Sequence, residues 1–306
     1  MPAIRSLALV LCTLLLLAAP ARAQDSAALA SSLELGRLLN YTVSVSTEVN
    51  QAIGAETRAQ QSSHVANASF RVVATDVEGI AQLEVTFERI GITLVENNVP
   101  TVTAVAVRDL DTGEAESNAA TELASTLLDC TVRFLLTDDR TLEYQSGFEP
   151  FLQAAAGAED LDPGFVGIFA PDRFTQVVAP IFDADGAAKV NVSQGLAWQT
   201  QDSIGLGAAG VFDITDNWRV SEFGDDAVTY EGTGDLTLRK PEGEDPARPD
   251  VNVNQFEITT NAVFDRADEK LATRTRTMSL GTTFTLGDNT LRQTQQTVVS
   301  ITPFDG

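Results

Sequence analysis

The feature that most constrains this chain is an alternation of apolar and polar residues that recurs along most of its length. From Tyr41 to Val49, tyrosine, valine and threonine alternate with threonine, serine and glutamate. A period of two residues is that of a β-strand with one face buried and the other in water. The chain is therefore predicted to form long antiparallel strands whose apolar faces must be covered.

A predicted hairpin shows the same pattern. Residues 69–75 and 80–90 flank an acidic turn at 76–79 that ends in glycine. In the second arm the apolar side chains share one face and the polar side chains share the other. This arrangement predicts a hairpin with one face in contact with water.

The fold class predicted from these patterns is mostly β, with a minor α component. Long antiparallel strands occur in two similar halves, 24–165 and 166–306, around a Gly/Pro-rich passage at 162–171. Each half has an aromatic-Arg-Val triplet leading into an acidic glycine turn, at 70–72 and at 218–220. We expect a curled sheet or half-barrel, or else a sandwich, with a few short helices.

Helical patterning is limited to short segments. Residues 117–129 place three leucines on one stripe, which predicts a helix in the first half. Two further short helices are predicted at 151–158 and 173–179. In the second half, the passage near 240–250 is rich in proline and charge and is predicted to be a solvated loop.

The amino terminus has the order of a cleavable secretory signal. Arg5 precedes an unbroken apolar run at 7–19, and small residues at Ala21 and Ala23 follow it. The run is shorter than the roughly 20 residues that a membrane-spanning helix needs. Residues 1–23 are therefore predicted to be a signal peptide cleaved after Ala23, which leaves a periplasmic or extracellular protein without a transmembrane segment.

The charge balance excludes one large class of partner. The chain has 43 acidic and 20 basic residues, a formal net charge of −23. Binding to nucleic acid depends on Lys and Arg to displace the counterions of the phosphates. We therefore expect no nucleic-acid partner, and interpret the acidity as favouring solubility.

The residues that usually support catalysis or metal binding are scarce. His64 is the only histidine, and its polar neighbours predict that it points into water. Cys130 is the only cysteine left after signal cleavage, and it opens an apolar strand, so a buried structural thiol is expected. A zinc site needs three or four ligands and a serine triad needs a histidine base. We therefore predict no catalytic residue, no cofactor and no metal site.

One acidic loop resembles part of a calcium-binding motif. In the segment Asp183-Ala184-Asp185-Gly186, the two aspartates stand at the first and third positions of such a loop. Gln194 stands at the twelfth position, where a bidentate acid is required. An EF-hand is therefore excluded, whereas a looser calcium site in an acidic turn stays open at this stage.

Several segments together resemble a family of exported bacterial proteins known only as a domain of unknown function. They are the signal peptide, the strand opening at 36–41, the 76–87 hairpin, the strand pair at 130–148 and the element at 190–198. That element reads valine-x-valine-x-x-glycine-x-x-tryptophan. The resemblance implies export and long antiparallel strands, and it carries over no active-site residue.

The function favoured by these observations is that of an exported, non-enzymatic protein. A curled sheet with helices on one face leaves an apolar groove, so we expect a lipid or other apolar small molecule, or an envelope protein, as partner. The alternatives are a carboxylate-dependent, glycosidase-like hydrolase and a purely structural or protein-interaction module. The candidate residues for an apolar ligand site are Leu83, Val85, Phe87, Phe134, Trp198, Trp218 and Tyr230.

Overall fold

A computed structural model describes residues 26–108, 119–158, 166–205, 210–240, 249–287 and 289–305. The predicted signal peptide lies outside these residues, as does most of the predicted loop near 240–250. Within this part of the chain the fold is mostly antiparallel β, as the alternation predicts. All twelve strands belong to one sheet, and not to the two stacked sheets of a sandwich.

The strands are long, and most follow one another through hairpins. Their bounds are β1 (Leu38–Ile53), β2 (Glu56–Thr75), β3 (Ala81–Glu96), β4 (Val99–Val107), β5 (Thr131–Leu136), β6 (Leu142–Ser146), β7 (Ala197–Gly205), β8 (Val211–Phe223), β9 (Ala227–Arg239), β10 (Asp250–Asp265), β11 (Lys270–Leu286) and β12 (Asn289–Pro303).

The first and last strands lie side by side at the middle of the sheet. The order is β6-β5-β3-β2-β1-β12-β11-β10-β9-β8-β7, and β4 pairs with the far part of β3. β1 pairs with β12 from Tyr41 opposite Pro303 to Ile53 opposite Leu291. Strands from the two halves of the sequence therefore form the two sides of one open sheet, with β6 and β7 as the end strands of the path.

Between β4 and β7, the described residues form three short helices. They are α1 (Ala119–Leu128), α2 (Glu149–Gly157) and α3 (Pro171–Val178), each within two residues of its predicted bounds wherever both ends are described. Short 3-10 segments lie at Gly167–Phe169, before α3, and at Ala179–Ile181 and Ala184–Lys189, after it. The helices, the turns and residues 26–32 form what we call the helical layer.

The helical layer covers one face of the first half of the sheet. Side chains from β1, β2, β3 and β5 alternate onto this face and pack against the layer in one large core. The three leucines of α1 are buried there, and so is Cys130. Burial raises the pKa of the Cys130 thiol, as expected for a structural cysteine. We call this side the helix-bearing face.

The opposite face of the central strands is polar. On β1 the residues that alternate with the core are Asn40, Thr42, Ser44, Ser46 and Glu48, and their exposure is intermediate or high. The alternation that predicts the strands therefore also separates the two faces correctly.

His64 differs from its prediction. Its side chain is 3% exposed, because β2 directs it onto the helix-bearing face beneath the turn at 166–169. Its ring meets Phe169 edge-on, with centroids 6.2 Å apart. A Cβ on Gly167 would lie 2.4 Å from Nε2 of His64, so glycine is required for this close approach. The polar neighbours in sequence were misleading because strand alternation, not local composition, sets the direction of the side chain.

Candidate functional site

The seven candidate residues for an apolar site form two separate groups. Leu83, Val85, Phe87 and Phe134 belong to the large core of the first half. Trp198, Trp218 and Tyr230 belong to a second cluster in the other half. All seven lie on the helix-bearing face, but the structure does not bring the two groups into one cluster.

The first group lies beneath the helical layer. Each of its four side chains is at most 1% exposed. Phe87 packs edge-on against Phe169 and Phe174, with ring centroids 6.2 and 5.6 Å away. Phe134 stacks on Phe174 at 6.2 Å. These contacts fill the space above the sheet, so the group forms packed core in this structure.

The second group is an aromatic cluster on β7, β8 and β9. The rings of Trp198 and Trp218 stack with centroids 6.2 Å apart, and Tyr230 lies within 6.1 Å of both. A Cβ on Gly232 would come within 2.3 Å of the Trp218 ring, so the indole lies flat on bare backbone. Trp218 donates its indole N–H to Thr200 Oγ1 at 2.9 Å. The cluster holds the end strand β7 against β8.

A buried ion pair connects this cluster to the helical layer. Asp185 receives two hydrogen bonds from Arg274, at 2.9 and 2.8 Å, and a third from the Tyr230 hydroxyl at 3.2 Å. The two charged side chains are only 6% and 5% exposed. Trp198 also donates its indole N–H to the carbonyl of Asp185 at 2.9 Å. The turn at Ala184–Lys189 is thereby fixed to three strands.

Electrostatics in this pair follow from burial and charge. Burial alone would lower the pKa of Arg274, but the charge and hydrogen bonds of Asp185, together with Tyr230 and Asp216, raise it overall. Burial raises the pKa of Tyr230, and the neighbouring Asp185 carboxylate raises it further. The arginine therefore stays charged and the tyrosine stays neutral, as a hydrogen-bond donor.

The calcium-like spacing has another explanation in the structure. Asp185 adopts a left-handed backbone, φ 53°, and Gly186 follows it with φ 84°, so the Asp-Gly pair makes a tight turn. The Asp185 carboxylate is occupied by Arg274. Within the described ranges, no group of three or more His, Cys, Asp or Glu residues is placed to hold a metal ion. The arginine partner lies 89 residues away in sequence, so no local signal identified it.

A second ion pair lies on the same face, two residues further along β11. Arg276 holds Asp216 through both terminal guanidinium nitrogens, with three contacts of 3.0 Å. Their side chains are 20% and 10% exposed, so this pair lies nearer to solvent than the first. Since Arg274 and Arg276 are two residues apart on β11, both project from its helix-bearing face.

Beyond the second ion pair, the helix-bearing face becomes apolar again. Ile258 and Phe256 on β10 pair with Met278 and Leu280 on β11. A smaller cluster continues to the ends of the strands. We call this small cluster the distal patch, and its members are Phe212, Val251, Leu236, Leu238, Val253, Leu280 and Phe284.

The distal patch consists of strand residues only. Phe212 and Val251 are buried, while the other five members are half-buried. A bulge in β10 between Val253 and Gln255 shifts the register here, so Val253 and Val251 return to the helix-bearing face. The distal patch is thus an apolar surface that the described helices and turns do not cover.

Comparisons with known proteins identify no family for this chain. No family model and no curated protein matches it. The chain has weak similarity to several solved structures.

A lipovitellin structure, described for its lipid–protein interactions, gives a TM-score of 0.48 at 8% identity. The match covers 90% of this chain but only 26% of the lipovitellin chain. An outer membrane channel from Pseudomonas putida F1 gives 0.23 at 8% identity, over 90% of this chain and 97% of the channel. A β-barrel-like protein of a domain of unknown function from Brucella abortus gives 0.12 at 13% identity, over 88% and 100%. All three scores are below 0.5, so these likenesses carry no functional argument.

One further finding concerns membranes. In the part of the chain that the structure describes, no helix is both long enough and apolar enough to cross a bilayer.

Proposed function

We propose that this protein is an exported, non-enzymatic binding protein that takes up an apolar ligand, of lipid type, on the distal patch. The observation that carries the proposal is the continuation of the apolar pattern beyond the helical layer. Leu280, Phe284 and their neighbours on β9 and β10 are half-buried on the helix-bearing face, and only strand residues pack against them. Elsewhere on this face the same kind of surface is covered by helices.

The energetics favour a ligand with apolar chains. Removing apolar surface from water contributes about 25 cal/mol per Å² to the stability of a complex, before the entropic cost of association is subtracted. Grooves that hold small apolar molecules are lined by apolar and aromatic side chains with a few polar groups. The distal patch has this composition, with the Arg276–Asp216 pair and Thr282 as its polar neighbours.

The two carboxylates held by arginine support binding more than hydrolysis. Asp185 and Asp216 are each held bidentately by an arginine. A glycosidase needs one protonated and one free carboxyl group flanking a substrate. Two carboxylates occupied by arginine do not provide that pair, which is why we propose a non-enzymatic role.

Export is the second part of the proposal. It rests on the order of charge, apolar run and small residues at 1–23. Mass spectrometry of the protein recovered from its own host should give a mature chain that begins at Gln24. An intact amino terminus on the recovered protein would contradict export by this signal.

The binding proposal can be tested with two neighbouring substitutions on β11. Leu280 faces the distal patch, whereas Ser279 lies on the opposite face of the same strand. The mature protein, Leu280→Asn and Ser279→Asn would be purified gently from the native host and measured by native mass spectrometry. We expect an apolar adduct on the mature protein and on Ser279→Asn, and its loss from Leu280→Asn.

Two results would count against this site. Equal adduct on both variants would place the ligand elsewhere on the protein. A mature protein without any adduct, which also fails to bind an added acyl lipid, would favour an envelope protein as partner of the distal patch instead.

A further inference from the structure

We propose that the ligand of this protein has an uncharged acyl ester as its head, and that Thr260 and Arg276 bind the ester oxygen. This inference rests on the proposed function, because it assigns the polar end of the same ligand. It starts from a buried hydroxyl without a partner, at the border between the ion pairs and the apolar surface.

Thr260 is the unusual residue. Its side chain is 1% exposed, and its Oγ1 has no hydrogen-bond partner among the described residues. A buried hydroxyl without a partner is destabilising, and most such groups in folded proteins are satisfied. A group that is unsatisfied in the free protein is therefore a candidate for satisfaction by a ligand.

Arg276 lies directly opposite Thr260 in the pairing of β10 with β11. Its two terminal nitrogens hold Asp216, but its Nε–H donates to no described residue. An arginine has five N–H donors and a threonine hydroxyl can donate one more. The Thr260 hydroxyl and the Arg276 Nε–H are thus two donors on one face of neighbouring strands, without an acceptor among the described residues.

The apolar surface begins at the next residue on this face. Met278, Leu280 and Phe284 follow Arg276 along β11 on the same side, over about 27 Å at 3.4 Å per residue. A ligand with an acceptor oxygen at one end and a long apolar chain at the other matches this order of donors and apolar side chains.

The local charge selects an uncharged head. Arg274 and Arg276 are neutralised by Asp185 and Asp216, so the group of four side chains has no net charge. A carboxylate brought here would be desolvated without a free positive partner, which is unfavourable. An ester carbonyl accepts the same hydrogen bonds without that penalty.

The test compares Thr260→Val with Thr259→Val. Thr259 is exposed on the opposite face of β10, so its variant is the matched control. Binding of a monoacylglycerol, the fatty acid with the same chain and the corresponding alkane would be measured by calorimetry at pH 8. We expect the ester to bind more tightly than the fatty acid, and Thr260→Val to weaken ester binding about three- to tenfold with alkane binding unchanged.

The stability of the free protein separates a binding role from a structural one. Removing an unsatisfied hydroxyl should leave the free Thr260→Val protein at least as stable as the parent in urea, so weaker ester binding could not be attributed to unfolding. Unchanged ester affinity in Thr260→Val, or tighter binding of the fatty acid, would overturn the inference. If none of the three probes binds the parent protein, the proposed function itself fails.

Discussion

The two sides of the sheet cover the helix-bearing face in different ways. Around β1, β2, β3 and β5, helices and turns supply phenylalanines that interlock with the strands, and a single large core results. Around β8–β11, the helical layer reaches the strands through residues 26–32 and the turn at Ala184–Lys189, and Asp185 fixes that turn to Arg274. Beyond that contact the apolar strand residues pack only against each other. One sheet thus combines a fully packed side with a side that leaves an apolar surface open.

This difference teaches how a mostly β chain can keep an apolar surface without losing its fold. The packed side supplies the core that holds the chain together. On the other side, aromatic stacking and two ion pairs fix the strands, so their apolar ends can remain uncovered.

The largest effect is expected on the packed side. Phe169 is fully buried against Phe87, Phe151 and Phe174. Phe169→Ala removes a large side chain from a site that is enclosed on every side, and should lower the free energy of unfolding by about 3–5 kcal/mol. Urea denaturation followed by circular dichroism measures this loss.

A loss below about 1 kcal/mol would mean that the helical layer is only loosely packed on the sheet. In that case the contrast between the two sides would disappear. Val177→Ala, at a half-buried position of α3, serves as the control for general effects of truncation in the helical layer.

The next effect concerns the contact that fixes the turn. Asp185→Asn keeps a residue that tolerates the left-handed backbone, but it leaves Arg274 charged and without its buried carboxylate. Removing one partner of a buried ion pair typically costs about 3 kcal/mol or more. We expect that loss in urea denaturation, together with a red shift of the Trp198 fluorescence as the end of the turn is released.

The double variant Asp185→Asn/Arg274→Met separates charge from packing. Because it removes both charges, it should recover a large part of the stability that the single variant loses. A double variant as unstable as the sum of the two single variants would show that the ion pair does not act as a unit.

The third prediction makes the same phenylalanine-to-alanine change in the distal patch. Phe284 is half-buried in the distal patch, so Phe284→Ala removes much less buried area than Phe169→Ala does. We expect a loss of about 1–2 kcal/mol, from the area removed from water. The loss in the free energy of ligand binding should be larger than the loss in the free energy of unfolding. A loss equal to that of Phe169→Ala would mean that the distal patch is ordinary core.

Much of this architecture could be predicted from the sequence, because alternation is a local signal. Leu83, Val85 and Phe87 face the core as their spacing predicts, and α1 has the predicted leucine stripe. The features that support the proposed function are nonlocal. Neither Asp185 nor Thr260 differs in its local sequence from an ordinary turn or strand residue.

The missed residues acquire their roles from strand pairing across the sheet. Thr260 faces Arg276 only because β10 pairs with β11 in one register, and a shift of one residue between the strands would place the two side chains on opposite faces. His64 was mispredicted for the same reason, since its polar neighbours gave no information about the layer that covers it.

The smallest effect is a change of pH dependence at the turn itself. Burial raises the pKa of Asp183, which accepts a hydrogen bond from the backbone N–H of Ala188 at 2.9 Å; the charged groups that act on it are Arg140, Lys189 and Asp185. Because the folded-state pKa lies above the unfolded value, the folded protein binds more protons, and stability falls as the pH rises through the interval between the two values. Asp183→Asn keeps an acceptor for the Ala188 N–H and removes the charge. We therefore expect this variant to be more stable than the parent near pH 7, by less than about 1 kcal/mol. The difference should vanish below the unfolded pKa of the carboxyl group.

Thermal unfolding across that pH range measures the stability of both proteins. Asp139→Asn is the control, because hydrogen bonds from Thr137 and Thr141 lower the pKa of Asp139. Loss of that carboxylate should shift stability in the opposite direction. Parallel curves for Asp183→Asn and the parent would show that this carboxyl group is as well solvated in the folded chain as in the unfolded one, and that the turn is less tightly held to the sheet than the Asp185 contacts indicate.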